Sequence, residues 1–153
     1  MNKLISIIEK FRNKKILVID DDEAIQILYT DELAEEGYEI FTSGDGSNLM
    51  ALIDETKPDL ILLDVRLGEK DGLDLLQEVR NTHYNLPVIL CTAYPVHKYD
   101  LKSIAADYFV VKSSDLEELK EKINMALDGS LHLHTGKSFS KMPKKEITLQ
   151  TSG

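Results

Sequence analysis

Five short apolar runs, each closing on a polar residue, constrain this chain more than any other feature of it. Ile16-Leu-Val-Ile19 ends in Asp20-Asp21-Asp22, and Leu60-Ile-Leu-Leu63 ends at Asp64. Pro87-Val-Ile-Leu-Cys91 ends at Thr92, and Tyr108-Phe-Val-Val111 ends at Lys112. Tyr38-Glu-Ile-Phe-Thr42 alternates instead, as a strand near a sheet edge does. Strands apolar on both faces need cover on both faces, which is the condition of a parallel sheet sandwiched by helices. The intervening segments supply those helices. Ile25, Leu28, Tyr29 and Leu33 share one face and Gly37 follows as a stop; Leu49, Leu52 and Ile53 mark a second helix closed by Lys57-Pro58. Leu73, Leu76, Val79 and Arg80 mark a third. The last runs from Leu116 to Leu127, with Ser114-Asp-Leu-Glu117 as a capping box and Gly129 as its end. The alternation predicts an α/β fold built from right-handed βαβ units around an open, doubly wound parallel sheet.

The domain suggested by this pattern covers residues 15–128. Residues 1–14 form an N-terminal amphipathic extension, with Leu4, Ile8 and Phe11 at helical spacing among Lys10, Arg12 and Lys14; it would pack on its own domain or meet a partner or membrane surface. Residues 129–153 read as a basic, polar, flexible tail, too short for a DNA-binding output domain. The net charge of −9 is divided accordingly: +4 over residues 1–15, +3 over residues 130–153, and −16 between them. So acidic a body repels nucleic acid and suits a cation. No apolar run reaches the roughly 20 residues of a membrane helix, and no secretory leader is recognisable. Cys91 is the sole cysteine and lies in an apolar run, so we expect a buried thiol in a reducing cytoplasm.

Ligands in a doubly wound sheet bind beyond the carboxyl ends of the strands. This chain places acids at the ends of its first and third strands, a hydroxyl at the fourth and a lysine at the fifth. Three carboxylates brought within a few ångströms repel by about 4 kcal/mol per pair at an effective dielectric near 20. A hard divalent cation with oxygen ligands relieves that repulsion. The plainer reading of Asp20-Asp21-Asp22 is a helix-capping cluster, but capping needs one acid, and Asp22 is placed for it.

The segments Ile16-Leu-Val-Ile-Asp-Asp-Asp-Glu-Ala, Pro58-Asp-Leu-Ile-Leu-Leu-Asp-Val-Arg, Lys70-Asp-Gly-Leu-Asp-Leu-Leu, Cys91-Thr-Ala-Tyr and Val111-Lys112 together resemble the receiver domain of two-component response regulators. The resemblance spans about Lys15 to Leu127. It implies a flavodoxin-like sheet of strand order 2-1-3-4-5, and Asp64 as the residue that accepts a phosphoryl group. It further implies Mg²⁺ (or Mn²⁺) held by Asp20, Asp21, Asp64 and the backbone carbonyl of Arg66. Thr92, the Ala93 backbone and Lys112 would bind the phosphoryl group, and Phe109 would follow Thr92 as a switch residue, although a core Phe reads equally well. Arg66 and Tyr94 would flank the pocket and slow loss of the phosphoryl group by shielding it. The donor would be a histidine kinase or a histidine phosphotransfer protein, with no direct nucleic-acid binding, no stable membrane insertion, and a homodimer left open.

Two departures stand out. Receivers usually carry Pro after this lysine, whereas Ser113 stands here, so a trans bond or local strain is expected. The stretch from Thr92 to Lys112 is about two residues shorter than usual, which predicts a short or irregular fourth helix around residues 99–105. The leading function is a stand-alone phosphorylation switch that changes a protein-binding surface. Such a switch catalyses at most its own phosphorylation and dephosphorylation. The alternatives are a degenerate receiver used as a scaffold, and a haloacid-dehalogenase-like phosphatase. The latter needs a second Asp where Arg66 stands.

Overall fold

The expected sheet forms because its central strands have nowhere to put their side chains but inside. In β1 (Lys15–Ile19), β3 (Leu60–Asp64) and β6 (Val88–Thr92) nearly every residue is buried. The computed structural model describes residues 13–94 and 105–132, the last four as backbone alone. The N-terminal extension up to residue 12, the segment 95–104 of the expected fourth helix and the tail from residue 133 lie outside the described residues.

β1 pairs in parallel with β2 (Glu39–Ser43) on one side and with β3 on the other. β3 pairs with β6, and β6 with β7 (Tyr108–Val111), again in parallel. The order β2-β1-β3-β6-β7 is the expected 2-1-3-4-5 arrangement. The edge strand begins one residue later than the sequence suggests, at Glu39, because Tyr38 packs inward and its hydroxyl donates to Asn124 Oδ1 at 2.8 Å.

Strand alternation sorts the core into two layers. Ile16, Val18, Leu60, Leu62, Ile89 and Cys91 meet α1 (Glu23–Glu35) and the last described helix, α4 (Glu117–His132). Leu17, Ile19, Ile61, Leu63 and Leu90 meet α2 (Leu49–Thr56) and α3 (Gly72–Thr82). Each such side chain contributes roughly 1.5–3 kcal/mol by leaving water. No described helix is long and apolar enough to cross a membrane.

Local signals behave mostly as read. Asp22 caps α1, its Oδ1 accepting from Ala24 N at 2.9 Å. Lys57 closes α2 in the left-handed region at φ 50°. Two readings at the last helix need correction. Its leading turn is held by Asp115, whose Oδ1 accepts from Glu117 N at 3.0 Å, and not by Ser114. The helix also runs past Gly129 to His132, since a glycine in a helix costs only about 1 kcal/mol and stops nothing by itself. A two-stranded hairpin, β4 (Arg66–Leu67) with β5 (Lys70–Asp71), stands directly after β3 and has no counterpart in the sequence pattern.

Candidate functional site

The carboxyl ends of β1, β3, β6 and β7 gather the polar residues singled out in the sequence. Asp20 follows β1 and is 2% exposed; Asp64 closes β3 at 6%; Thr92 closes β6 at 1%. A backbone bond from Lys112 N to Thr92 O, 2.7 Å, extends the β6–β7 ladder by one step and delivers Lys112 to the same point. Its Nζ lies 2.5 Å from Asp20 Oδ2 and 3.0 Å from Asp64 Oδ2. Asp21 is exposed, yet a carboxylate oxygen of each of Asp20, Asp21 and Asp64 lies within 4.8 Å of the others.

Three carboxylates thus gather at one point, and two of them share one ammonium. Burial pushes the Asp64 carboxyl up from its ordinary value; the hydrogen bond from Lys112 pulls it back in part, and the neighbouring Asp20 charge adds to the rise. Burial works against the charge of Lys112 too, but its hydrogen bonds to Asp20 and Asp64 outweigh that and hold the ammonium above the ordinary lysine range. The excess of negative charge and the all-oxygen donor set fit a hard divalent cation.

Backbone contacts fix the acids. Asp22 N donates to Asp20 Oδ1 at 2.9 Å, and the Gln26 side-chain amide donates to the Asp20 carbonyl at 2.6 Å. Arg66 N donates to Asp64 Oδ1 at 3.3 Å, and Gly68 N to Asp21 Oδ2 at 2.9 Å. Gly72 explains the motif Lys70-Asp-Gly: its N–H bonds Val65 O at 2.7 Å, and a Cβ there would overlap the Asp64 carbonyl.

At the rim, Thr92 Oγ1 accepts from Tyr94 N at 3.2 Å, with exposed Ala93 between them. The Arg66 guanidinium lies 5.1 Å from the centroid of the Tyr94 ring, a cation–π contact between the segments that follow Asp64 and Thr92. Phe109 is half-buried opposite Leu90, on the sheet face that Thr92 shares by alternation. The Lys112–Ser113 bond is trans, as are all the described peptide bonds.

Residues 16–124 match the family model of the response regulator receiver domain. The chain belongs to the receiver family of two-component systems. Its fold superposes on the receiver TrrA of Thermotoga maritima, solved in complex with Mg²⁺-BeF, at TM-score 0.71 and 41% identity, over 74% of this chain and 98% of that one. A chain in the complex of histidine kinase ThkA with TrrA matches at TM-score 0.70 and 40% identity, with the same coverage. Sporulation initiation phosphotransferase F of Bacillus subtilis is 30% identical over 119 residues, 75% of this receiver and 94% of the relative.

Sequence reading missed two features of this receiver. One is the hairpin over the acids, whose two-residue strands carry no periodicity. The other is Arg80, read as part of a helix face. It donates to Ala105 O at 2.7 Å and Leu86 O at 2.5 Å, and pairs with Asp107 Oδ2 at 2.7 Å. It thereby joins the end of α3 to the entries of β6 and β7. The half-buried pair of Arg80 with Asp107, 27 residues on, has no local signature.

Proposed function

We propose that this receiver takes a phosphoryl group onto Asp64 from the phosphohistidine of a histidine kinase or histidine phosphotransfer protein, and that the phosphorylated state presents a changed protein-binding surface. The observation that carries this is the buried Asp64 carboxylate at a strand end, 3.0 Å from Lys112 Nζ and grouped with Asp20 and Asp21. The solved pairing of TrrA with ThkA supports a kinase as donor.

In the transfer, an Asp64 carboxylate oxygen bonds to phosphorus as the donor's P–N bond breaks. That electron pair goes to the imidazole, which leaves neutral after protonation at its other ring nitrogen. The product is an acyl phosphate on Asp64. Lys112 offsets charge on the phosphoryl oxygens, the Ala93 N–H donates to one of them, and Thr92 Oγ1 turns from Tyr94 N toward another. Phe109 then moves into the space beside Thr92, so that a local charge becomes a packing change. Asp20, Asp21, Asp64 and the Arg66 carbonyl would hold Mg²⁺ or Mn²⁺, which when bound neutralises phosphoryl and carboxylate charge together. Arg66 and Tyr94 shield the acyl phosphate from water. The chain acts as a switch without turnover, and the buried, unpaired Cys91 suits a cytoplasmic setting.

Incubation with acetyl phosphate and Mg²⁺, followed by intact mass, tests the reading. One added phosphoryl group is expected in the wild type and none in Asp64→Asn or without Mg²⁺. No addition under any condition overturns it in favour of a scaffold.

A further inference from the structure

Asp21 differs from its two neighbours in the acid cluster. Asp20 and Asp64 are buried and share the Lys112 ammonium. Asp21 is exposed and forms no ion pair among the described residues. A solvated carboxylate beside two others is driven outward by repulsion and by its own rotamer freedom. Asp21 nevertheless stays within the 4.8 Å cluster. Among the described residues one group donates to its side chain, the Gly68 N–H, at 2.9 Å from Oδ2.

That amide is aimed by the hairpin. Arg66 pairs with Asp71 and Leu67 with Lys70, leaving Gly68 and Glu69 as the turn. Gly68 has φ +60°, the left-handed conformation that a tight hairpin turn requires at its first central residue. The hairpin is fixed at its base, where Gly72 N bonds Val65 O and the Asp71 side chain caps α3. The first strand of the same hairpin supplies the Arg66 N–H to Asp64. One short loop therefore orients two of the three acids through its own backbone.

We infer that the Gly68 amide is a positioning group for cation binding: it engages Asp21 Oδ2, leaves Oδ1 free to coordinate, and holds Asp21 against the repulsion of Asp20 and Asp64. This rests on the cation site of the proposed function and adds a determinant of its affinity. A charge-assisted hydrogen bond of this kind is worth about a tenfold change in binding when lost. Gly68→Asn keeps both the amide and the left-handed conformation, whereas a β-branched residue is strained there.

The test replaces the Gly68 N–H with an ester oxygen in the full chain, by incorporating glycolic acid at position 68, and measures Mn²⁺ binding from the resonance of the free ion. The ester is expected to bind about tenfold more weakly than the wild type, with Gly68→Val similarly weak and Gly68→Asn close to wild type. Equal affinity of ester and wild type overturns the inference while leaving the cation site intact. No Mn²⁺ binding by the wild type overturns the cation site itself, and the inference with it. Should the ester fail to fold, hydrogen exchange of the wild-type Gly68 amide decides the matter. Protection that rises on Mg²⁺ saturation supports the inference, and an unprotected amide in both states overturns it.

Discussion

Lys112 reaches from the end of β7 to set its ammonium 3.0 Å from Asp64 Oδ2, the atom pair on which the proposed chemistry turns. Removing one partner of such a buried pair leaves charge without compensation. Lys112→Ala should lower stability by about 3 kcal/mol in urea unfolding without divalent cations. Asp64→Asn in the same background should restore part of that loss. Strictly additive effects in the double mutant would contradict the coupling.

The Arg66–Tyr94 stack, at 5.1 Å, should keep water from the acyl phosphate. The Arg66→Ala, Tyr94→Ala double mutant is expected to lose its phosphoryl group about fivefold faster, the rate equivalent of a surface cation–π contact. The decay of phosphorylated protein after removal of acetyl phosphate measures this. A wild-type half-life no longer than the mutant's contradicts the shielding role.

Gly72 has no room for a side chain, since a Cβ would overlap the Asp64 carbonyl. Gly72→Ala should cost about 2 kcal/mol in thermal or urea unfolding and slow phosphorylation, because the backbone carrying Asp64 must move. Unchanged stability together with unchanged phosphorylation would show that the close approach is not required.

Cys91 lies opposite Asp64 in the β3–β6 register, and burial pushes its thiol up to about 12 from an ordinary 9.0. Only the thiolate reacts readily. Labelling by a disulfide reagent at pH 8 should therefore be slow in the native protein and follow the unfolding curve in urea. Reaction at the rate of a free thiol in native buffer would contradict the packing of β6.

The parts of this molecule legible in the sequence are those with a repeating physical demand. Leu60 to Leu63 must be covered on both faces, so the strand and its layer follow from the residues alone. Asp20, Asp64, Thr92 and Lys112 follow because each terminates such a run. What stayed hidden depends on contacts between distant or aperiodic residues. Arg80 looks like part of one helix face until Asp107 and the carbonyls of Tyr84, Leu86 and Ala105 are seen around it. The hairpin from Arg66 to Asp71 has strands too short for any period. Ser114 reads as the cap of the last helix in sequence, and only the geometry shows that Asp115 takes that place.

The most direct test of the account is to phosphorylate the chain with acetyl phosphate and Mg²⁺, reduce it with borohydride, and map the peptides. Borohydride converts an aspartyl phosphate to homoserine. Homoserine is expected at position 64 and at no other aspartate, with none formed when Mg²⁺ is withheld. Homoserine at Asp20 or Asp21, or none at all from a protein that has gained a phosphoryl group, would contradict the account.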